Sequence, residues 1–129
     1  YDQEHAAIGK TPNRFGMIMT EAAYREGIEW LDQLMHYLEN NKNIFTTSLR
    51  SLNEVKVFDL ESTYLVWVDF SNLKINQAEL ENMLVKEAGV APSFGAGFGK
   101  NSGKFARFNI ACRTEILDLA IRRLTKTFM

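Results

Sequence analysis

Cysteine, proline and histidine are scarce in this sequence, and each scarcity excludes something. The single cysteine, Cys112, rules out an intrachain disulfide. Two prolines leave the helices and strands few breakers. The two histidines, His5 and His36, stand far apart and in no metal-ligand spacing. Neither sign of charge dominates, because 15 basic residues face 16 acidic ones for a net charge of −1. Nothing therefore favours nucleic acid or an anionic membrane as a partner. No apolar run approaches the ~18 residues of a membrane span, and nothing near the start reads as a signal peptide. A reducing, cytoplasmic setting is the expectation. The chain begins at Tyr1 rather than Met, which suggests a fragment or a processed piece.

What is present can bury a real core. The 129 residues are 46% hydrophobic and 24% charged, values that suit one globular domain without staples. Residues 1–10 show no clear period. Thr11-Pro12 reads as an N-cap followed by proline at the first helical position. Phe15, Ile18, Met19, Ala22 and Ala23 then recur with helical spacing, and Gly27 can end that helix. Glu29 to Leu52 reads as a second helix with the stripe Leu31, Leu34, Leu38, Phe45, Leu49 and Leu52. Asn40-Asn41 looks like a break, but the step from Leu38 to Phe45 keeps the period. One helix of roughly 24 residues, about 36 Å long, is predicted. That is longer than a globule of this size needs, and such a helix often bridges two domains.

Val55 to Leu60 is a short strand, and Thr63 to Phe70 is a second one rich in β-branched and aromatic residues on both faces. It should be central and covered. The connection Glu61-Ser62 is short enough for a hairpin. Asn76 and Glu79 make a capping-box-like start for a third helix, with Leu80, Met83, Leu84 and Ala88 as its stripe and Gly89 as its close. A stretch with glycines at 95, 97, 99 and 103 leads into a strand at Phe105 to Cys112. Thr114, capping the last helix, begins a segment with Leu117, Ala120, Ile121, Leu124 and Phe128 inward. The order predicts an α+β fold in two layers: a small, mostly antiparallel sheet covered by helices, with a long N-terminal interdomain helix.

Most motifs carry no chemistry. A phosphate loop needs a glycine where Phe94 stands and Ser or Thr where Asn101 stands. The dinucleotide fingerprint fails too, with Lys100 or Ser102 in place of the third glycine. The glycine stretch is left as a flexible loop whose backbone could approach a ligand. Ser71-Asn72-Leu73-Lys74 matches S-x-x-K without its companion motifs. Trp30 and Trp67 read as core anchors. Glu54, Asp59, Glu61 and Asp69 form no pairing suited to acid–base catalysis. No catalytic residue, no cofactor-binding residue and no metal ligand is identified in this chain.

The strand Phe105 to Cys112, FARFNIAC, is the exception. Alternation puts Ala106, Phe108, Ile110 and Cys112 on one apolar face, and Phe105, Arg107, Asn109 and Ala111 on the other. Arg107 carries a planar, permanently charged fork beside an amide, which suits bidentate recognition of a carboxylate. The competing reading is an arginine on a solvated strand, loosely paired with a surface acid.

Four segments together go further: AAYREGIEWLDQLMHYLENN (22–41), TYLVWVDF (63–70), AGVAPSFGAGFG (88–99) and FARFNIAC (105–112). In this order and spacing the chain resembles the C-terminal, small-domain part of the fold type I pyridoxal-phosphate enzymes. It is most similar to the cystathionine β-lyase (C–S lyase) subgroup within the class I/II aminotransferase family. The resemblance implies that residues 1–28 end a large cofactor-binding domain and residues 29–129 form the small domain, led by a bridging helix. By the family's R-x-N-x-A-C pattern, Arg107 would bind the substrate α-carboxylate and Asn109 would support it. The segment 93–99 would lie towards the active-site entrance. The family's Schiff-base lysine lies upstream of this region, so pyridoxal phosphate would belong to the intact parent and would not bind this chain covalently. In that parent the cofactor would serve as electron sink, and proton loss at Cα would lead to β-elimination, releasing a thiol, pyruvate and ammonia.

The partners implied are an amino-acid substrate, the missing large domain and a second copy in a homodimer. Two departures bear on the subgroup: Ser62 stands where the family has glycine, and Cys112-Arg113-Thr114 where it has Cys-Pro-Arg. Two other functions stay open, the same domain of a true aminotransferase and a stand-alone carboxylate-binding or interaction module.

Overall fold

The structure, a computed structural model, describes residues 13–129. It divides into two compact units, one ending at His36 and the other spanning Tyr37–Met129, and each is taken by itself. In the first, helix α1 (Arg14–Glu26) starts at Asn13, whose side-chain oxygen accepts the Gly16 N–H at 2.7 Å. Asn13 is thus the cap, and the expected Thr11-Pro12 start lies outside the described residues. Gly27 ends α1 as predicted, donating its N–H to Ala23 O. Helix α2 (Ile28–Arg50) begins at once. A Cβ on Gly27 would lie 2.4 Å from Ala23 O, so this tight junction requires glycine. No side chain of α1 is buried. Trp30 is 66% exposed and anchors no core, contrary to expectation.

Helix α2 runs unbroken for 23 residues through Asn40-Asn41, as the leucine period predicts. Its later turns bury Leu38, Phe45 and Leu49 in the second unit. There they pack on an antiparallel sheet of four strands in the order β1-β2-β4-β3. These are β1 (Lys56–Val57), β2 (Leu65–Asp69), β3 (Ser93–Phe94) and β4 (Phe105–Asn109). Helix α3 (Gln77–Asn82) and helix α4 (Thr114–Phe128) complete the unit. The result is the expected α+β arrangement. One sheet face carries Val57, Val66, Val68, Ala106 and Phe108, buried against Phe45, Leu49, Leu80, Leu84, Leu117, Ile121 and Leu124.

Several boundaries move. The first strand shrinks to Lys56–Val57, and the connection to β2 is a long loop instead of a two-residue hairpin. Thr63 has φ 66°, a left-handed conformation that ends strand geometry, and its hydroxyl accepts the Leu65 N–H at 3.2 Å. β2 is central as predicted, but only Val66 and Val68 are fully covered. Leu65, Trp67 and Asp69 point to a half-buried face. The capping box at Asn76 and Glu79 forms in full. Past Asn82 the helix widens into a π-turn at Met83–Glu87, where the Ala88 N–H reaches back to Met83 O. Gly89, at φ 65°, then closes it.

Asn41 explains why the Asn40-Asn41 pair does not break α2. Its side chain is fully buried, and its amide nitrogen donates to Ile110 O and Cys112 O, both at 2.9 Å. Its oxygen accepts from the Thr114 hydroxyl at 2.9 Å. One turn earlier, the Tyr37 hydroxyl donates to Cys112 O at 3.2 Å and accepts the Thr114 N–H at 2.8 Å. Thr114 is therefore the first residue of α4 and not its cap. The cap position belongs to Arg113, at φ −62° and ψ 138°, which makes no side-chain capping bond. Two side chains of α2 thus satisfy the backbone where the chain turns from β4 into α4.

Replacing Asn41 by alanine strands the buried Ile110 carbonyl and leaves Cys112 O with the Tyr37 hydroxyl alone. An unsatisfied buried group costs about 1–3 kcal/mol. Asn41→Ala should lower the unfolding free energy by about 2 kcal/mol or more in urea titration. Tyr37→Phe, at a wetter position, should cost less.

Candidate functional site

β4 places Arg107 as alternation requires. Ala106, Phe108 and Ile110 face the core, and Arg107 points to the opposite side of the sheet. Trp67 of β2 lies directly across from it on one side and Ser93 of β3 on the other. Trp67 is therefore no core anchor. It stacks on Phe105 with ring centres 5.8 Å apart and meets Phe98 edge-on at 5.3 Å. Phe58 extends this aromatic row, 6.4 Å from Phe105.

The Arg107 guanidinium carbon lies 4.6 Å from the centre of the Phe98 ring, a cation–π distance. Its Nε is buried and has no hydrogen-bond partner. No ion pair among the described residues includes Arg107. The loose pair with a surface acid does not form among the described residues. Asp69, on the same face, is engaged elsewhere and accepts the Ser71 N–H at 2.7 Å. A buried donor without an acceptor, on a cation without a counter-charge among the described residues, is a geometry suited to an incoming anion.

Asn109 stands two residues along the same face, exposed, and its oxygen accepts the Ala111 N–H at 2.9 Å. It shapes the exit from β4. Cys112 follows on the core side, half-buried, and burial pushes its thiol pKa up. Ser71 and Lys74 sit in the turn between β2 and α3. His5 lies outside the described residues. Among the described residues, no group of three potential metal ligands comes together, and no helix is long and apolar enough to cross a membrane.

The glycine stretch does something other than cradle phosphate. Gly95 is buried, and a Cβ there would lie 2.0 Å from Ser102 O and 2.8 Å from Phe105 O. Carbonyl oxygens surround it, the wrong polarity for a phosphate. A 3-10 turn at Gly95–Gly97 closes with the Phe98 N–H on Gly95 O at 2.8 Å. This close approach folds the loop onto β4 and sets Phe98 over Arg107. The sequence reading missed Phe98, Tyr37 and Asn41. The available signal for Phe98 was an aromatic flanked by Gly97 and Gly99 just before the strand that carries the charge.

No family model matches the chain. Curated relatives do. The cystathionine beta-lyase PatB of Bacillus subtilis (strain 168) is 34% identical over 113 residues, 87% of this chain and 29% of PatB. The cystathionine beta-lyase of Corynebacterium glutamicum is 38% identical over 109 residues, 84% of this chain and 29% of the relative. The chain is a homologue of the MalY/PatB cystathionine beta-lyases. Aminotransferases are also among its homologues. A pyridoxal-phosphate-bound structure from Clostridium difficile 630, described as an aminotransferase, superposes with a TM-score of 0.88 at 34% identity, covering 99% of this chain and 34% of that one. The chain thus spans about a third of the length of its MalY/PatB and aminotransferase relatives.

The cofactor named for that solved relative can be tested against the residues here. Lys56 Nζ lies 5.2 Å from the centre of the Phe58 ring, and Lys104 Nζ donates to Leu73 O. Both are engaged within the chain, and the glycine loop offers carbonyls. The Arg107 guanidinium, with no ion pair among the described residues, is suited to an anion such as a carboxylate. Because Gly95 has no room for a methyl group, Gly95→Ala should force the loop off β4. Overpacking of this kind costs about 1–3 kcal/mol, which a thermal melt of the variant against the parent sequence would register.

Proposed function

We propose that this chain is the C-terminal portion of a pyridoxal-phosphate-dependent C–S beta-lyase of the cystathionine beta-lyase type, in which Arg107 receives the α-carboxylate of the amino-acid substrate. The observation that carries this reading is the Arg107 guanidinium, at cation–π distance from Phe98 with a buried, unpartnered Nε. The similarity to two cystathionine beta-lyases supports the choice of reaction. A planar fork whose orientation is set in advance binds a carboxylate through two parallel bonds with little reorganisation. Asn109 supports it indirectly by fixing the exit of the strand.

In this reading residues 1–28 close the large domain and residues 29–129 form the small one. The side chains of α1, none of them buried, support a covering partner: the rest of the parent chain and a second copy in a homodimer. Pyridoxal phosphate, held by the rest of the parent, supplies the electron sink for β-elimination. This chain contributes recognition and orientation and is not catalytic alone. An aminotransferase parent is the second reading, favoured by the solved relative from Clostridium difficile.

Three measurements test the proposal. Full-length parent incubated with L-cystathionine should release pyruvate without a keto-acid acceptor, whereas a strict need for the acceptor would establish the aminotransferase. Incubating this chain with cofactor and reducing with borohydride should leave no stoichiometric adduct at one lysine in the mass spectrum. Arg107→Lys in the parent keeps the charge and loses the fork. Charge-assisted bonds contribute roughly 1.5–3 kcal/mol, so kcat/KM should fall by about one to two orders of magnitude. Arg107→Ala should cost more. An unchanged kcat/KM with a lowered melting temperature would reduce Arg107 to a structural residue.

A further inference from the structure

We infer that Phe98 is a positioning residue for Arg107, fixing the plane of its guanidinium for the incoming carboxylate. The inference rests on the carboxylate reading and adds a residue to it.

An arginine fork is normally oriented by hydrogen bonds or an ion pair. Among the described residues Arg107 has no ion pair, and its Nε has no hydrogen-bond acceptor. The group it stands over is the Phe98 ring, 4.6 Å from the guanidinium carbon to the ring centre. A cation–π contact supplies no hydrogen-bond acceptor, whereas a carboxylate of the chain would use up the guanidinium donors that an incoming carboxylate needs. Phe98 is itself braced, edge-on against Trp67 at 5.3 Å, and Trp67 in turn stacks on Phe105. Trp67 is the direct cross-strand partner of Arg107. Ring, indole and guanidinium thus form a closed set on one sheet face, and the Gly95 turn delivers the ring to it.

Burial within the described residues does not account for the ring. Phe98 is 52% exposed and belongs to no buried cluster. Of its glycine neighbours, a Cβ on Gly97 would meet nothing within 4 Å and one on Gly99 would touch the Ser102 hydroxyl at 3.6 Å.

The test uses the full-length parent and L-cystathionine, with kcat, KM and melting temperature measured for Phe98→Leu, Phe98→Tyr and Arg107→Lys. An exposed cation–π contact corresponds to a factor of about two to five. Phe98→Leu should raise KM by about that factor, change kcat less and leave the melting temperature in place. Phe98→Tyr, which keeps the ring, should restore KM. If Arg107→Lys raises KM while Phe98→Leu does not, the positioning role is wrong and the carboxylate reading stands. If neither moves KM, both fall. A Phe98→Leu effect confined to melting temperature or to kcat also overturns the inference.

Discussion

The pairing of β2 with β4 is the constraint on which everything else in the second unit depends. Five residues of each strand meet in register, from Leu65 opposite Asn109 to Asp69 opposite Phe105. Because side chains alternate, this register decides at once what is core and what is surface. It sends Val66, Val68, Ala106 and Phe108 inward and leaves Trp67, Phe105 and Arg107 together on the other face. A slip by one residue would bury the guanidinium and expose Phe108, exchanging two large penalties for no gain. The same hydrophobic bias that folds the sheet therefore presents the charge.

Where the strand ends, hydrophobicity no longer directs the chain, and hydrogen bonding takes over. The segment from Ile110 to Thr114 leaves the sheet and enters a helix. The Ile110 N–H still reaches Tyr64 O, and Arg113 O accepts from the first turn of α4. The carbonyls of Ile110 and Cys112 and the N–H groups of Ala111 and Thr114 turn to side chains. Asn109, Tyr37 and Asn41 supply these side chains. Two of the three come from α2, which ties the long helix to the strand carrying Arg107. Displacement of α2 at Asn41 would be felt at β4 within a few residues of the guanidinium.

Much of this was legible in the sequence because it follows from period. Leucine spacing gave α2 its length despite two asparagines, and alternation in FARFNIAC put Arg107 opposite the core. Residue pairs such as Asn76 with Glu79 and a lone glycine such as Gly89 marked their turns correctly. What could not be read depends on contacts far apart in the chain. Asn41 looked like a helix breaker because its partners lie some seventy residues away. Phe98 looked like a loop residue because the Gly95 turn that aims it is defined by the carbonyls of Ser102 and Phe105. Trp30 and Trp67 were misplaced since large aromatics usually sit inside, while here one is exposed and the other serves a half-open face. Thr63 broke its strand early through a left-handed backbone that no β-propensity predicts for a β-branched residue.

The cap of α4 carries a consequence for the unfolded chain. Arg113 holds φ at −62°, the angle that a proline ring imposes covalently. An arginine must find that angle from a much larger set, and the lost freedom is worth about 0.4–1 kcal/mol against a residue already confined there. At the junction of β4 and α4, this chain thus begins folding from a more disordered start than a proline-bearing sequence would. The side-chain bonds from Tyr37 and Asn41 act in the folded state, where they hold in place a corner that rigid chemistry could have shaped beforehand.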